Sequence, residues 1–272
     1  MPILTSQQIN VFYENYKTTE ITFTKELTRA IGLVPKLIYL KTVGYQLPCI
    51  IYAVSMTTAK VIANVPPGMH EQLRAANNLV SLRFAFKEPD KLDPILFFVS
   101  ARISGFNPYN KDKPNLNFIY LDFTQRPPDD LIATLGLVLE AHSNSQKRRE
   151  ERIVINADSI KKIGLNNKSA QLYIQGVPRN SIIRDLSFSG AKVILAGVAK
   201  FLLNKEAFLE IETVEKGTIK IPGTIVRNEQ VEGRKDLVAL AMQFNEEKVP
   251  MEYKMLINDY IKQKKYQSSG DQ

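Results

Sequence analysis

The first half of the chain alternates apolar and polar residues in short runs, a period of two that is typical of β-strands. Turn residues separate the runs, and Pro66-Pro67-Gly68 and Asn107–Asn115 are predicted as loops. The predicted strands are Lys36–Thr42, Leu47–Val54, Lys60–Val65, Leu79–Phe86, Ile95–Ile103 and Leu116–Phe123. The first half is therefore predicted to be mostly β.

Helices are predicted on both sides of these strands. Thr5–Tyr16 and Thr24–Ile31 precede them, and Gly32 ends the second helix. After them, residues 126–130 (Arg-Pro-Pro-Asp-Asp) suit a helix start, because proline and acidic side chains favour the first turn. Apolar residues then follow at helical spacing: Leu131, Leu135, Val138 and Leu139. This stripe ends in the polar stretch His142–Gln146, which predicts a linker.

The second half repeats the plan. Its predicted strands are Ile153–Asn156, Gln171–Gln175, Ser181–Leu186, Lys192–Leu195, Phe208–Val214, Thr218–Val226 and Leu237–Phe244. A closing helix, Pro250–Lys264, places apolar residues on one face: Tyr253, Leu256, Ile257, Tyr260 and Ile261. The shared order of elements is compatible with an internal duplication, although the halves share little sequence identity.

The fold class that follows is mainly β with terminal helices, in two β-barrel-plus-helix domains. Because free strand edges invite aggregation, each set of strands is predicted to close, or nearly close, into a barrel. The predicted domains are 1–141 and 153–272, joined by a linker at 142–152. A length of 272 residues agrees with two domains.

Charge and composition narrow the class of partner. The net charge of +8 and the pI near 9.3 favour anionic partners, such as nucleotides, nucleic acid or an acidic protein surface. The N-terminus lacks the order of a signal peptide, and no apolar stretch approaches the roughly 18 to 20 residues of a membrane span. We therefore expect a cytoplasmic protein without membrane insertion. The single cysteine, Cys49, lies in an apolar run and is expected to be a buried, unreactive thiol.

Residue types and spacing argue against an enzyme. The histidines are His70 and His142, and the sequence has no Cys/His cluster, HExxH or GxxxxGK[ST] pattern. A GxSxG nucleophile motif is also missing, so Ser187 has no local argument for a catalytic role. We expect no catalytic residues, no metal site and no cofactor.

A basic run, Gln146–Ile153 (QKRREERI), stands at the start of the second half. Arg148 and Arg152 fit the spacing RxxxR. Planar guanidinium groups bind phosphate oxygens bidentately and also contact guanine edges or stack on a base, which lysine cannot reproduce. For most such runs the simpler interpretation is a solvated segment in which Glu150 and Glu151 pair with the arginines.

A second element, Asp185-Leu186-Ser187-Phe188-Ser189-Gly190, follows a predicted strand. Asp185 has acceptors for the N–H groups of guanine, Ser187 has a hydroxyl for phosphate or base, and Gly190 permits positive φ or close backbone approach. Taken alone, the segment is equally typical of a polar β-turn or bulge.

In this order, inside a β-rich domain that ends in a helix, the two elements resemble the PilZ family, whose signature is RxxxR followed by [DN]xSxxG. Gly223–Arg227 and Leu240–Phe244 are similar to later strands of that family, so the resemblance covers residues 146–265. The spacing between Arg152 and Asp185 is somewhat long, and the predicted loop Ile163–Lys168 is expected to hold the extra residues.

The resemblance implies a six-stranded PilZ barrel that is a receptor for cyclic di-GMP and not an enzyme, with arginines that clasp phosphate and guanine. The ligand-binding residues that it implies are Arg148, Arg152, Asp185, Ser187 and Gly190, with Lys147 and Arg149 as additional candidates. Because the RxxxR motif lies on the predicted linker, we expect Ser143–Arg152 to be mobile without ligand and ordered with it.

The first half, with its Leu47–Tyr52 strand and its helix start at 126–130, is similar to the N-terminal domain of two-domain spirochaete PilZ proteins. A downstream protein partner is expected as well.

A basic β-barrel protein that binds nucleic acid is the main alternative, since aromatic and cationic side chains can hold single strands. The strand period places Phe84 and Phe86 on one face with Leu82, which favours a core position for these rings. A third interpretation, an adaptor whose PilZ site no longer binds ligand, agrees less well with the intact motifs.

Overall fold

The structure is a computed structural model that describes residues 4–42, 44–88, 92–110, 112–197 and 202–270. The chain divides into two compact units, Met1–Leu139 and Glu140–Gln272. Strands dominate both units and helices accompany them, so the predicted mainly-β class is confirmed.

The first unit forms a closed six-stranded barrel in its described residues. Its strands are β1 (Ile21–Thr22), β2 (Tyr39–Thr42), β3 (Tyr45–Val54), β4 (Thr58–Asn64), β5 (Leu79–Phe86), β6 (Ile95–Asn110) and β7 (Lys113–Phe123). Around the barrel the order is β3-β2-β5-β6-β7-β4, and pairing of β4 with β3 closes it. The short strand β1 adds to β3 outside this ring.

The second unit forms a barrel of the same kind in the part of the chain that the structure describes. Its strands are β8 (Ile153–Val154), β9 (Ser169–Ile174), β10 (Val177–Leu186), β11 (Gly190–Ala196), β12 (Glu206–Thr213), β13 (Gly217–Val231) and β14 (Arg234–Phe244). The order is β10-β9-β12-β13-β14-β11, closed by pairing of β11 with β10, and β8 adds to β10. The predicted closure of the barrels is confirmed.

The helices are α1 (Ser6–Asn15), α2 (Lys25–Ala30), α3 (Met69–Ala75), α4 (Asp129–Lys147), α5 (Ala157–Ile163) and α6 (Met251–Gly270). Helix α1 begins with a capping box, in which the side chains of Thr5 and Gln8 each accept a hydrogen bond from the other's backbone N–H. Asn156 and Ser159 form the same reciprocal pair at α5. Of the helices described, none is long and apolar enough to cross a membrane.

The two barrels share one strand order, since β2 to β7 correspond in turn to β9 to β14. A β-bulge interrupts corresponding strands at the same place, just before Ala53 in β3 and just before Asp185 in β10. After the bulge, Ala53 pairs with Lys60, and Asp185 pairs with Lys192. Matching backbone positions therefore carry different side chains in the two barrels.

Inward-facing apolar side chains fill each barrel. Phe84 and Phe86 are fully buried, which confirms their predicted core position. In the second unit the core continues onto the predicted apolar face of α6, whose buried members are Tyr253, Ile257 and Ile261. Burial raises the pKa of the Cys49 thiol to about 12, in agreement with the predicted unreactive cysteine.

Some local predictions differ from the structure. The predicted loop Asn107–Asn115 belongs to a long hairpin, because β6 runs to Asn110 and β7 begins at Lys113. The sequence pattern does not predict helices α3 and α5, because seven residues are too few to display a helical period. Helix α5 and the loop that follows it lie between the two predicted motifs.

The predicted polar linker, residues 142–152, is helical in its first part, because α4 continues to Lys147. Asn144 Nδ2 donates to Asn258 Oδ1 of α6 at 2.7 Å. Ser145 is buried, and its hydroxyl donates to His142 O at 2.7 Å. A tertiary partner thus satisfies Asn144, and a local backbone carbonyl satisfies Ser145, although such polar side chains are weak helix formers on their own. The helix ends immediately before Arg148 rather than before His142.

Candidate ligand-binding site

The two sequence motifs meet where β8 joins β10. Residues Arg148–Arg152 form a turn, the arginine turn, directly after α4, and Arg148 N donates to Asn144 O at 2.9 Å. The next residues form β8, which pairs antiparallel with the end of β10. This pairing brings the arginine turn beside Asp185.

Arg152 and Asp185 form an ion pair that joins the motifs. Arg152 Nη1 lies 2.5 Å from Asp185 Oδ1, although the residues are 33 positions apart in the chain. The Asp185 side chain is 13% exposed, whereas the Arg152 side chain is 46% exposed. Such a charge-assisted bond orients the guanidinium group while leaving much of it open to a ligand.

The segment Asp185–Gly190, the serine loop, joins β10 to β11. Ser187 is fully buried, its side-chain oxygen accepts from Gly190 N at 3.1 Å, and Ser187 N donates to Gly190 O at 2.8 Å. The hydroxyl of Tyr253 in α6 donates to Ser187 O at 2.7 Å. Ser187 therefore closes the loop from inside, because its hydroxyl satisfies a turn N–H. In the structure this hydroxyl faces the backbone of its own loop, whereas the sequence predicts it as a group for phosphate or base.

Gly190 begins β11 and pairs with Gln243 of β14. A Cβ atom at position 190 would lie 2.5 Å from Met242 O, closer than real side chains approach a backbone oxygen. Of the two roles predicted for this glycine, the structure supports close backbone approach. Gly190 allows β14 to lie close against the end of the serine loop.

The other basic residues of the run differ in their contacts. Arg149 Nη1 forms an ion pair with Glu246 Oε2 at 2.9 Å, so this guanidinium already has an anionic partner. Arg148 is half-buried, and its side chain has no hydrogen-bond or ion-pair partner among the residues that the structure describes. Lys147 is exposed at the end of α4. Arg148 is therefore better placed than Arg149 to engage a ligand.

Ser189 ties the serine loop to the arginine turn. Its hydroxyl oxygen lies 2.9 Å from both Arg149 O and Glu150 Oε1, so its single hydrogen is shared between these two acceptors. Ser189 N also donates to Arg149 O, at 3.2 Å. Sequence reasoning missed Ser189, because the residue stands at an unspecified position of the DxSxxG pattern and offers no signal beyond its polarity.

Comparison with known proteins identifies the family of each domain. The PilZN3 domain model matches residues 7–142, and the PilZ domain model matches residues 146–263. The chain is also 46% identical over 262 residues to a cyclic di-GMP binding protein of Treponema denticola, an alignment that covers 96% of this chain and 83% of that protein. This chain belongs to the PilZ family. Its PilZN3 domain precedes its PilZ domain.

Two solved structures also match this chain. The Borreliella burgdorferi PlzA protein in complex with c-di-GMP is 26% identical, with a TM-score of 0.44 over 94% of this chain and 99% of that chain. The PilZ domain of Escherichia coli YcgR with c-di-GMP is 15% identical, with a TM-score of 0.32 over 47% of this chain and 99% of that chain.

The register of the PilZ barrel places further charged residues in a row that begins at Asp185 and crosses four strands. Asp185 pairs with Lys192, Lys192 with Ala241, and Ala241 with Arg227, across β10, β11, β14 and β13. Glu229 binds Lys192 Nζ at 2.7 Å and Arg227 Nη2 at 2.9 Å. The hydrogen bond from Lys192 is the main cause that holds the pKa of Glu229 below its ordinary value. Sequence reasoning missed this row, because residue types alone do not give cross-strand neighbours.

Other parts of the PilZ domain offer less chemistry. Within the described ranges, no group of three or more His, Cys, Asp or Glu side chains could hold a metal ion. A cleft of about 410 Å³ lies on β9, β12 and β13 and contains none of the predicted ligand residues. Its lining residues include the stacked rings of Tyr173 and Phe208 together with Pro222, Asn245 and Lys248.

Proposed function

We propose that this protein is a cyclic di-GMP receptor that binds the dinucleotide at the arginine turn and the serine loop, without catalysing a reaction on it. The observation that carries the proposal is the ion pair between Arg152 and Asp185, which unites both halves of the PilZ signature. The name of the Treponema denticola relative, cyclic di-GMP binding protein, supports the same ligand at 46% identity.

The ligand chemistry fits the side chains that meet there. A cyclic dinucleotide presents two phosphodiester charges and the edges of two guanines. Arg148 and Arg152 supply planar donors for phosphate oxygens or for O6 and N7 of guanine. Asp185 supplies acceptors for guanine N–H groups. A site for a simple anion would gain nothing from this carboxylate, because it repels phosphate.

The other residues act on the shape and charge of the site. We assign Ser187 and Gly190 to the conformation of the serine loop, since one is buried and the other lies against β14. Lys192, which pairs with Asp185, and Arg227, farther along the same row, add positive charge to the barrel surface, and Glu229 moderates this charge because it binds both of them. Lys147, which is exposed at the end of α4, contributes long-range attraction of the anionic ligand.

Filter binding of labelled cyclic di-GMP, RNA and DNA at two salt concentrations tests this proposal. We expect saturable cyclic di-GMP binding that excess nucleic acid does not displace. Saturable nucleic-acid binding with a steep salt dependence, without cyclic di-GMP binding, would contradict the proposal and establish the alternative.

Nucleic-acid binding is a second candidate because of one surface of the first barrel. Lys60 Nζ lies 4.3 Å from the ring centre of Phe118, 4.9 Å from that of Tyr52 and 5.1 Å from that of Tyr120. Tyr109 packs against Phe118 and is 49% exposed. Exposed rings beside a cation can stack on the bases of a single strand. If this candidate is right, Tyr52→Ala with Tyr109→Ala should weaken RNA or DNA binding in the same filter assay.

We further propose that ligand binding changes the arrangement of the two units and thereby signals to a downstream protein partner. Helix α4 runs across the boundary between the units, and the arginine turn follows it at once. A ligand held by Arg148 and Arg152 therefore also restrains the end of that helix. It can bias the arrangement only by its differential affinity for one of the states.

Small-angle scattering and hydrogen exchange across residues 140–153, with and without cyclic di-GMP, measure this coupling. We expect an altered scattering profile and stronger protection with ligand, and expect both effects to vanish in Arg148→Ala with Arg152→Ala. Unchanged profiles and unchanged protection at saturating ligand would contradict this coupling. The protein would then bind cyclic di-GMP without a change in the arrangement of its two units.

A further inference from the structure

Two carboxylates lie in contact with the arginine turn, where an anion-binding site would be expected to exclude them. Glu150 belongs to the turn, and its Oε1 lies 2.9 Å from Ser189 Oγ. Glu246 follows β14, and its Oε2 lies 2.9 Å from Arg149 Nη1. Each of these charges opposes the approach of a ligand with two phosphodiester groups. Their contacts point to a role other than charge.

The contacts close a ring of three chain segments. Arg149 of the arginine turn binds Glu246, which lies just beyond β14. Phe244 N, at the end of β14, donates to Ser189 O of the serine loop at 2.8 Å. Ser189 in turn donates to Arg149 O through its amide, and its hydroxyl hydrogen is shared between Arg149 O and Glu150 Oε1. The arginine turn thus has contacts on two sides that involve no ligand; these limit its mobility, and ligand binding is expected to reduce that mobility further.

The first barrel supplies an internal comparison. There, Thr57 Oγ1 donates to Lys17 O at 3.0 Å, and Phe123 N donates to Thr57 O at 2.8 Å. These bonds correspond to those of Ser189 with Arg149 and with the end of β14. The hydroxyl-to-carbonyl link therefore belongs to the shared fold.

The carboxylates do not belong to that shared set. The positions in the first barrel that correspond to Glu150 and Glu246 hold Thr18 and Gln125. Of the two barrels, the one with acidic side chains at these positions is also the one with the RxxxR arginines. This association connects them to the arginine turn rather than to barrel formation.

We infer that Glu150 and Glu246 are positioning residues that hold the arginine turn in its ligand-binding geometry, Glu246 through Arg149 and Glu150 through Ser189. The inference rests on the proposed function, because the ligand is cyclic di-GMP. Pre-ordering the turn lowers the entropy that binding must remove. A positioning role and a charge role predict opposite results, since removal of a nearby negative charge should by itself tighten the binding of an anion.

Calorimetric titration with cyclic di-GMP separates these roles. Glu150→Ala and Glu246→Ala should each weaken binding about three- to tenfold, the effect of losing one or two hydrogen bonds. Glu247→Ala is the matched control, because Glu247 is exposed and adjacent to Glu246, and it should bind as the wild type or slightly more tightly. Glu150→Gln removes the charge but keeps an acceptor for Ser189, so it should restore most of the affinity. Alanine variants that bind as tightly as Glu247→Ala would overturn the inference.

Hydrogen exchange in the free protein gives a readout that does not need the ligand. The Ser189 amide donates to Arg149 O, so its exchange should accelerate in Glu246→Ala and remain unchanged in Glu247→Ala. Equal Ser189 exchange in both variants would refute the positioning role of Glu246 even if the wild type binds cyclic di-GMP. Failure of the wild type to bind would refute the proposed function, whatever the exchange result.

Discussion

The serine loop of the PilZ barrel has a counterpart in the first barrel, and the likeness is close. Ser55 there is buried like Ser187, and the side-chain oxygens accept from Thr58 N at 3.0 Å and from Gly190 N at 3.1 Å. The serine amides donate back to the same residues at 2.9 and 2.8 Å. The serine of the DxSxxG signature is thus a residue of the fold, which a barrel without the signature also uses.

The positions that differ are those with ligand chemistry. Where the PilZ barrel has Arg152 and Asp185, the first barrel has Glu20 and Ala53 at the corresponding positions. Gly190 corresponds to Thr58, so the first barrel accommodates a Cβ atom where the PilZ barrel cannot without movement. One architecture therefore carries two surfaces, and a few side chains decide which of them can bind a dinucleotide.

The arginine turn should show the largest effect of this difference. Arg148→Ala and Arg152→Ala should each weaken cyclic di-GMP binding about ten- to a hundredfold, because each removes a charge-assisted contact of about 1.5 to 3 kcal/mol. Neither side chain is in the core, so the fold should persist. Calorimetry measures the affinity and thermal melting checks the fold. The control is Glu20→Ala, at the position that corresponds to Arg152, and wild-type affinity in both arginine variants would contradict the site.

Asp185 should show a smaller effect, on selectivity as well as affinity. Asp185→Ala should reduce the preference for cyclic di-GMP over cyclic di-AMP about tenfold, because the carboxylate accepts from guanine N–H groups that adenine lacks. The ratio of the two dissociation constants is the measurement. Asp185→Asn keeps one acceptor and should lie between the wild type and the alanine variant. An unchanged ratio in Asp185→Ala would reduce Asp185 to a partner of Arg152.

Much of the fold is visible in the sequence because it is local. The strand Leu79–Phe86 is predicted to the residue, since its alternation is bounded by turn signals on both sides. The extent of α4 is not visible, because its last turns depend on Asn258, which is 114 positions away from its partner Asn144. The hairpin at Asn107–Asn115 is missed for a related reason, as cross-strand pairing holds residues of turn-like type in extended form.

The candidate site, like the fold, is only partly visible in the sequence. The two motifs can be found by residue type and spacing, and the pairing of β8 with β10 then explains why they meet. The inward position of Ser187 cannot be found in this way, because a hydroxyl suits a turn and a phosphate equally well. The contact of Arg149 with Glu246 also requires the folded chain, since nothing local links these residues.

The smallest expected effect tests the shared role of the two serines. Ser187→Ala and Ser55→Ala each remove the acceptor of a buried or part-buried turn amide, which should cost about 1 to 2 kcal/mol. A chain of two units need not unfold in one transition, so the local opening at Gly190 N and Thr58 N is the appropriate measure. Exchange at these amides should accelerate about five- to thirtyfold, and by a similar factor in both barrels. Since the Ser187 hydroxyl faces inward, Ser187→Ala should weaken cyclic di-GMP binding less than Arg148→Ala does. Loss of binding with unchanged protection of Gly190 would instead mean that this hydroxyl turns outward and contacts the ligand.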